Sequence, residues 1–153
     1  MKIVFQRLSN GSIIVDEEKQ AEMGGGLLVL IGFHKNDKDD DVEWVVRKTL
    51  SICFWPSEEK GPWRLGVKDI NGSIMLVVEP GLIASCDQSN TPSFDDLMPP
   101  EQAEIMFGKL VAKFKESYIK ERIFNAPFGK KVKLDFLNHG PVTFSIDSFH
   151  RRD

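Results

Sequence analysis

Two stretches near the end of the chain alternate apolar and polar residues, and a Gly-Pro pair lies between them. Residues 131–137 and 142–147 both show the period of two that is typical of half-buried β-strands. Gly140 can adopt backbone angles that other residues avoid, whereas Pro141 fixes its own φ and tolerates a cis peptide bond. The pair therefore predicts a stiff protrusion where two strands meet. It is either a plain hairpin turn or a rigid backbone element that contacts a ligand.

The remaining pattern predicts an α/β fold of mixed and antiparallel sheets with two main helices. Asn-Gly pairs at 10–11 and 71–72 indicate hairpin turns, and the apolar runs 27–32 and 73–78 fit strands buried on both faces. Loops are expected at residues 56–68 and 83–100. The predicted strands are 2–8, 12–16, 27–32, 51–55, 73–78, 122–125, 131–137 and 142–149, with residues 16–23 a candidate for a further short edge strand. The predicted helices are 42–50 and 101–118.

Residues 36–41 form an acidic cluster that has two interpretations. A calcium loop would need a glycine in its middle and a closing glutamate, which this spacing lacks. Carboxylates also favour the first turn of a helix, where Asp37 or Asp39 can act as the N-cap. The cluster is therefore expected to start the first helix.

Length and cysteine content indicate one domain spanning 1–153 in a cytoplasmic protein. No apolar run approaches the ~20 residues of a membrane span, so no membrane contact is expected. Cys53 and Cys86 have neither metal-ligand spacing nor a disulfide framework, so both are expected to be reduced thiols. Two helices cannot cover both faces of a large sheet, so one face is expected to pack on more sheet or on a second subunit.

Charge is unevenly distributed along the chain. The formal net charge is −3, yet residues 101–153 carry ten Lys and Arg against seven Asp and Glu. Lys130, Lys131 and Lys133 precede the Gly-Pro pair and are candidates for a local contact with phosphate groups. The other interpretation is that they are solvated strand charges.

The usual catalytic groupings are missing from the sequence. There is no Gly-x-Ser-x-Gly elbow, and His34, His139 and His150 are not spaced as metal ligands. We therefore expect neither a metal nor a cofactor. An enzyme built from this chain would depend on backbone dipoles and on groups of its substrate.

Short motifs across residues 1–148 resemble those of one family. The most specific is Asn138-x-Gly140-Pro141-Val142-Thr143. The others, in chain order, are Val4-Phe5-Gln6-Arg7-Leu8, the run 26–32, Val67-Lys68-Asp69-Ile70, Pro92-Ser93-Phe94, Pro99-Pro100-Glu101 and Phe128-Gly129. In order and spacing they are similar to the D-aminoacyl-tRNA deacylase (D-tyrosyl-tRNA deacylase) family.

The resemblance implies a homodimer that hydrolyses the ester between a D-amino acid, or glycine, and the 3′-terminal adenosine of tRNA. It implies that the Gly-Pro bond is cis and that the pair projects into the partner subunit's active site. There its carbonyls would meet the α-ammonium group and exclude side chains of L configuration. The substrate-binding residues carried over are Gln6, Arg7, Phe94, Asn138, Gly140, Pro141, Val142 and Thr143.

The second family signature, Ser-Gln-x-Thr-Leu, is replaced here by Glu79-Pro80-Gly81-Leu82-Ile83. Pro80 removes a backbone donor, but the N–H groups of Gly81 and Leu82 remain as candidate oxyanion donors. The resemblance implies that the terminal ribose 2′-hydroxyl assists the attacking water. Glu79 would either raise the barrier beside an oxyanion or pair with the α-ammonium.

Two functions follow from these features. The first is hydrolysis of D-aminoacyl-tRNA, and of glycyl-tRNA as a further substrate, as a chirality proofreading step in translation. The alternative is a catalytically impaired homologue that binds tRNA or a protein partner.

Overall fold

A computed structural model describes residues 1–151. Arg152 and Asp153, the end of the expected domain, lie outside the described residues. The α/β fold with two main helices is confirmed. The strands are β1 Lys2–Val15, β2 Glu18–Met23, β3 Gly26–Gly32, β4 Cys53–Ser57, β5 Gly61–Gly66, β6 Ser73–Val78, β7 Ile123–Asn125 and β8 Val132–Asp147, and the helices are α1 Asp39–Ser51 and α2 Pro100–Ser117.

Six of these strands form one mixed sheet. The strand order is β2-β1-β3-β6-β7. β3 pairs with the first half of β1 and β2 with its second half, along the same edge, and β8 pairs with the opposite edge of β1. The strands β3, β6 and β7 run parallel, and the remaining pairings in this sheet are antiparallel. Since parallel strands end at the same edge, the carboxyl ends of β3, β6 and β7 lie together.

The sheet is buried on both faces at its centre. Both helices pack on one face and are joined by ion pairs such as Lys109 Nζ to Asp39 Oδ1, at 2.8 Å. Neighbouring residues of β3 enter different cores: Leu27 packs on the helix side and Leu28 joins a second apolar cluster. The expectation that residues 27–32 and 73–78 are buried on both faces is therefore confirmed.

The predicted hairpin turn at Asn10-Gly11 is wrong. These residues lie inside β1, where Gly11 pairs with both Met23 and Phe136. The chain turns instead at Asp16 and Glu17, whose positive φ angles of 51° and 64° suit a tight connection between β1 and β2. The pairing of β1 with β8 therefore outweighs the turn preference of the Asn-Gly pair.

The segment around the second Asn-Gly pair also differs from its prediction. Residues 61–66, expected in a loop, form β5 and pair with β4 as a separate hairpin. Asn71 does adopt a turn conformation with a φ of 49°. It connects β5 to β6, which belong to different sheets, so the predicted hairpin there is wrong.

The acidic cluster starts α1, as expected. The N-cap residue is Lys38, whose N–H donates to Asp41 Oδ2 at 2.7 Å. Asp37 instead accepts from the His34 N–H and contacts the Met1 α-ammonium group, so the prediction of Asp37 or Asp39 as the cap is wrong. Helix α2 lies within one residue of its predicted bounds. Neither α1 nor α2 is long and apolar enough to cross a membrane.

Gly26→Ala tests the close approach of β3 to β6. An added Cβ would lie 1.9 Å from the Ser73 carbonyl oxygen, which is backbone and can move only if the strands separate. We expect the free energy of unfolding, measured in urea, to fall by about 2–3 kcal/mol. The control is Gly24→Ala, where an added Cβ meets no atom within 4 Å. Equal unfolding midpoints for both variants would contradict the pairing.

Candidate functional site

The Gly-Pro pair forms a protrusion within β8. Gln6 of β1 pairs with Thr143 and Leu8 pairs with Asn138, so residues 139–142 lie opposite Arg7 alone. The extra residues leave the sheet, and the Gly140–Pro141 bond is cis, as the resemblance implied. The interpretation as a plain hairpin turn is therefore wrong, because β8 continues beyond the pair as one strand.

Arg7 connects this protrusion to the β4–β5 hairpin. Its Nε donates to the carbonyl oxygen of His139 at 3.0 Å, and its Nη1 donates to the carbonyl oxygen of Phe54 at 2.9 Å. The guanidinium is planar, so the two hydrogen bonds fix each other's direction. Gly140 is required at this point: its φ is 126°, and an added Cβ would lie 3.0 Å from Arg7 Nη2.

Three aromatic rings support the Phe54 end of this connection. Phe54 stacks on Phe144 with ring centroids 5.0 Å apart, and Phe5 meets Phe54 edge-on at 5.3 Å. Phe5 and Phe54 are buried, which holds the Phe54 carbonyl in place for Arg7. Sequence reasoning missed this role of Phe54, because nothing in the pattern of residues 51–55 indicates which strand they meet.

A polar pair lies at the base of the protrusion. Asn138 Nδ2 donates to Gln6 Oε1 at 2.7 Å, while Asn138 Oδ1 is buried without a hydrogen-bond partner among residues 1–151. Val142 packs partly against the core, and Thr143 is exposed. The structure thus brings together seven of the predicted site residues: Gln6, Arg7, Asn138, Gly140, Pro141, Val142 and Thr143.

A second group lies at the carboxyl edge of the parallel strands. Glu79 directly follows β6, and Pro80–Leu82 form a single turn of 3₁₀ helix. This turn packs against the end of β3, where an added Cβ on Gly32 would lie 2.9 Å from Leu82 Cβ. The carboxyl ends of parallel strands are a common place for ligand sites in α/β proteins.

Both candidate oxyanion donors already have acceptors within the chain. The Gly81 N–H donates to Glu79 Oε1 at 2.7 Å, and the Leu82 N–H donates to the Glu79 carbonyl oxygen at 3.2 Å. The Glu79 N–H itself donates to the Ile31 carbonyl oxygen at 2.8 Å. An oxyanion would therefore have to replace the Glu79 carboxylate at the Gly81 N–H and the Glu79 carbonyl oxygen at the Leu82 N–H.

A pocket of about 310 Å³ opens beside this turn. Its walls are mainly apolar and include Phe128, while two exposed lysines, Lys130 and Lys131, lie on its lining. The lining residues are Val77, Val78, Pro80, Ala126, Pro127, Phe128, Gly129, Lys130, Lys131 and Val132. The structure thus places Pro80 and two of the candidate phosphate contacts around one pocket.

Lys133 and Phe94 belong neither to the Arg7 group nor to the lining of this pocket. Lys133 is in contact with Glu17, which neutralises its charge locally. Phe94 is 45% exposed in the loop before α2 and does not line the pocket. A larger cavity of about 440 Å³ near Lys2 contains none of the predicted site residues.

The Arg7 group and the turn at 79–82 are built on different strands of the sheet. Within residues 1–151, no hydrogen bond or ion pair joins the Arg7 group to the turn at 79–82. Their separation also agrees with the strand order, because β8 lies at one edge of β1 and β6 lies beyond β3.

Comparison with known proteins assigns the family. The model of the family described as D-Tyr-tRNA(Tyr) deacylase matches residues 4–147. The chain belongs to this family. A D-aminoacyl-tRNA deacylase of Christiangramia forsetii is 34% identical over 152 residues, covering 99% of this chain and 100% of the relative. One of Picosynechococcus sp. is 33% identical over 147 residues, covering 96% of each chain.

A solved structure has the same fold. The protein titled c-Myc DNA Unwinding Element Binding Protein matches with a TM-score of 0.92 and 31% identity, covering 97% of this chain and 99% of that one. This deacylase-family chain thus matches both relatives over nearly their full length.

Arg7→Lys tests the connection between the protrusion and β4. One ammonium group cannot reproduce the fixed pair of hydrogen bonds, so we expect the free energy of unfolding to fall by about 1–3 kcal/mol. We also expect faster amide exchange at residues 138–144 than in the wild type, while residues 132–137 stay protected. The matched control is Arg64→Lys, because within residues 1–151 the Arg64 side chain donates one hydrogen bond, to the exposed Lys60 carbonyl. Equal exchange in both variants would contradict the role of Arg7.

Proposed function

We propose that this chain hydrolyses the ester bond of D-aminoacyl-tRNA, releasing a D-amino acid and free tRNA. The observation that most supports this proposal is the Gly140–Pro141 protrusion, which Arg7 holds in place. The relatives of the chain are named D-aminoacyl-tRNA deacylase. Such a reaction removes wrongly charged tRNA and is therefore a chirality proofreading step. Its tRNA substrate and two free cysteines suit a cytoplasmic enzyme.

The protrusion supports selection by handedness through main-chain atoms. A carbonyl held in a fixed direction accepts a hydrogen bond from an ammonium group at only one place. With the α-ammonium and the ester both positioned, the two configurations place their side chains differently, and an L side chain would meet the protrusion. Glycine has no side chain to exclude, so glycyl-tRNA is also a substrate in this proposal.

Hydrolysis then needs a water and a place for negative charge. The water oxygen attacks the ester carbonyl, the bond to the ribose 3′-oxygen breaks, and that oxygen receives a proton. The N–H groups of Gly81 and Leu82 are the proposed donors to the developing oxyanion, once Glu79 Oε1 leaves the Gly81 N–H and the Glu79 carbonyl oxygen releases the Leu82 N–H. In this proposal the terminal 2′-hydroxyl assists the water, and no side-chain base is needed.

The proposal includes a homodimer in which each subunit supplies its protrusion to the other. Support comes from the separation of the two groups in one subunit and from the position of β8 at the edge of the sheet. Gly140 and Pro141 are exposed, and Leu137 beside them is 58% exposed. An exposed strand edge of this kind suits pairing with a second copy. Phe94 remains a proposed contact of the substrate within that assembly.

Gly140→Ala tests the protrusion in an assay of D-aminoacyl-tRNA hydrolysis. The new Cβ would meet Arg7 at a positive φ, which displaces the carbonyls, so we expect kcat/KM to fall about 100-fold. The matched control is Gly108→Ala in α2, where an added Cβ meets no atom within 4 Å and activity should be unchanged. A folded wild-type dimer that releases no amino acid would eliminate the proposal and favour the impaired homologue.

Lys130 and Lys131 are the proposed contacts for tRNA phosphates. Each phosphate contact contributes about 0.7 to the slope of log K against log salt for a single strand, so the double Ala variant should lose about 1.4 of slope. Lys133→Ala is the comparison, because Glu17 already pairs with Lys133 and the slope should change less. Equal slopes for wild type and double variant would exclude these two lysines.

A further inference from the structure

Trp63 combines a strained backbone with a side chain that is 54% exposed. Its φ is 56°, a left-handed conformation in which the Cβ of a bulky residue crowds the backbone. The other non-glycine residues with positive φ among residues 1–151 lie in turns, whereas Trp63 lies within β5; they are Asp16, Glu17 and Asn71. Strain of this kind persists only where the surroundings impose it, and it is concentrated at functional sites.

A bulge in β5 imposes this conformation. The pairs between β4 and β5 on either side of Pro56 leave residues 62–64 opposite Pro56 alone. Pro56 has no N–H to donate, so the extra residues of β5 leave the regular pairing. Bulges redirect side chains, and this one holds the Trp63 ring at the surface instead of packing it in the core. The hairpin therefore offers an apolar, planar surface to a ligand.

The position of the hairpin indicates which ligand reaches it. Arg7 joins the Phe54 carbonyl oxygen of β4 to the His139 carbonyl oxygen of the protrusion. Counted along and across the two strands, Trp63 lies about 10 Å from Phe54. That distance equals about three stacked nucleotides of one strand. In the proposed function the acyl end of the tRNA meets the protrusion, so its unpaired 3′ end passes this hairpin.

Two cationic residues accompany Trp63 in the hairpin. The Arg64 Nε donates to the Lys60 carbonyl oxygen at 3.1 Å, which directs the guanidinium. Among residues 1–151, no carboxylate oxygen lies within 4 Å of the side-chain nitrogens of Lys60 or Arg64. An aromatic ring beside a guanidinium suits a stacked base and its phosphate. Glu58 and Glu59 in the same turn balance the charge, so stacking contributes more to affinity here than net charge does.

We propose that Trp63 stacks on an unpaired base near the 3′ end of the substrate RNA, while Arg64 binds an adjacent phosphate. The identity of that RNA as tRNA rests on the proposed function, whereas the stacking on an unpaired base does not. The contact lies away from the ester, so it binds the ground state and the transition state equally well. It therefore lowers KM for a substrate with a full 3′ end and leaves kcat unchanged.

Binding of two RNA probes tests the stacking directly. The first probe is a stem-loop RNA with an unpaired ACCA end, and the second carries abasic sugars in place of the two cytosines. We expect the wild type to bind the first probe about tenfold more tightly in calorimetric titrations. Trp63→Ala should bind both probes equally, and Trp63→Phe, which keeps an aromatic ring, should restore part of the ratio.

Hydrolysis of a long and a short substrate provides the second measurement. For D-aminoacyl-tRNA, Trp63→Ala should raise KM about tenfold with kcat unchanged. For D-aminoacyl-adenosine, which lacks the neighbouring nucleotides, the same variant should leave kcat/KM unchanged. The matched control is Ile105→Ala in α2, because Ile105 is also apolar and is 64% exposed. That variant should change neither the binding ratio nor KM.

Thermal unfolding and sedimentation verify the fold and the oligomeric state of each variant. Equal binding of both probes by the wild type, no binding of either, or an unchanged ratio in a folded Trp63→Ala variant would each overturn the role of Trp63. A changed oligomeric state in that variant would also overturn it, because the ring would then belong to an interface between copies. If D-aminoacyl-tRNA is hydrolysed in any of these cases, the proposed function stands. If the ratio depends on Trp63 but no ester is hydrolysed, the proposed function fails and the stacking role stands.

Discussion

The antiparallel pairing of β1 with β8 is the interaction on which the Arg7 group depends. It extends from the Lys2–Asp147 pair to the Val15–Val132 pair, so the register is fixed on both sides of the protrusion. Residues 139–142 have no place in that register and must leave the sheet opposite Arg7. The long β1–β8 pairing therefore sets the direction of the protrusion, and the hydrogen bonds of Arg7 constrain it further.

The turn at 79–82 depends on a different part of the same sheet. Parallel pairing of β3, β6 and β7 brings three strand ends to one edge, and tight packing of Gly32 on Leu82 fixes the turn there. The Glu79 N–H, bonded to the Ile31 carbonyl oxygen, anchors the start of this turn to β3. Pro80 contributes no backbone donor to the turn, so its N–H groups come from Gly81 onward.

Patterns of apolar residues were enough to predict the strands buried on both faces and both helices, because burial leaves a regular period in the sequence. Local turn signals were less reliable: Asn10-Gly11 lies inside β1, where pairing with β8 outweighs its turn preference. The Gly-Pro protrusion was predictable from its residue types. Its attachment to Phe54 and the Glu79–Gly81 hydrogen bond were not, since both depend on which distant or neighbouring atoms the fold brings within 3 Å.

The Arg7 connection uses only main-chain oxygens at its far ends, those of His139 and Phe54. Every amino acid carries such an oxygen. The imidazole of residue 139 can therefore be exchanged during evolution without altering where the protrusion points, whereas residues 7 and 140 have no such freedom. A lineage of these proteins can thus vary the outer surface around the tip and adapt it to new neighbours while the geometry beneath it stays constant.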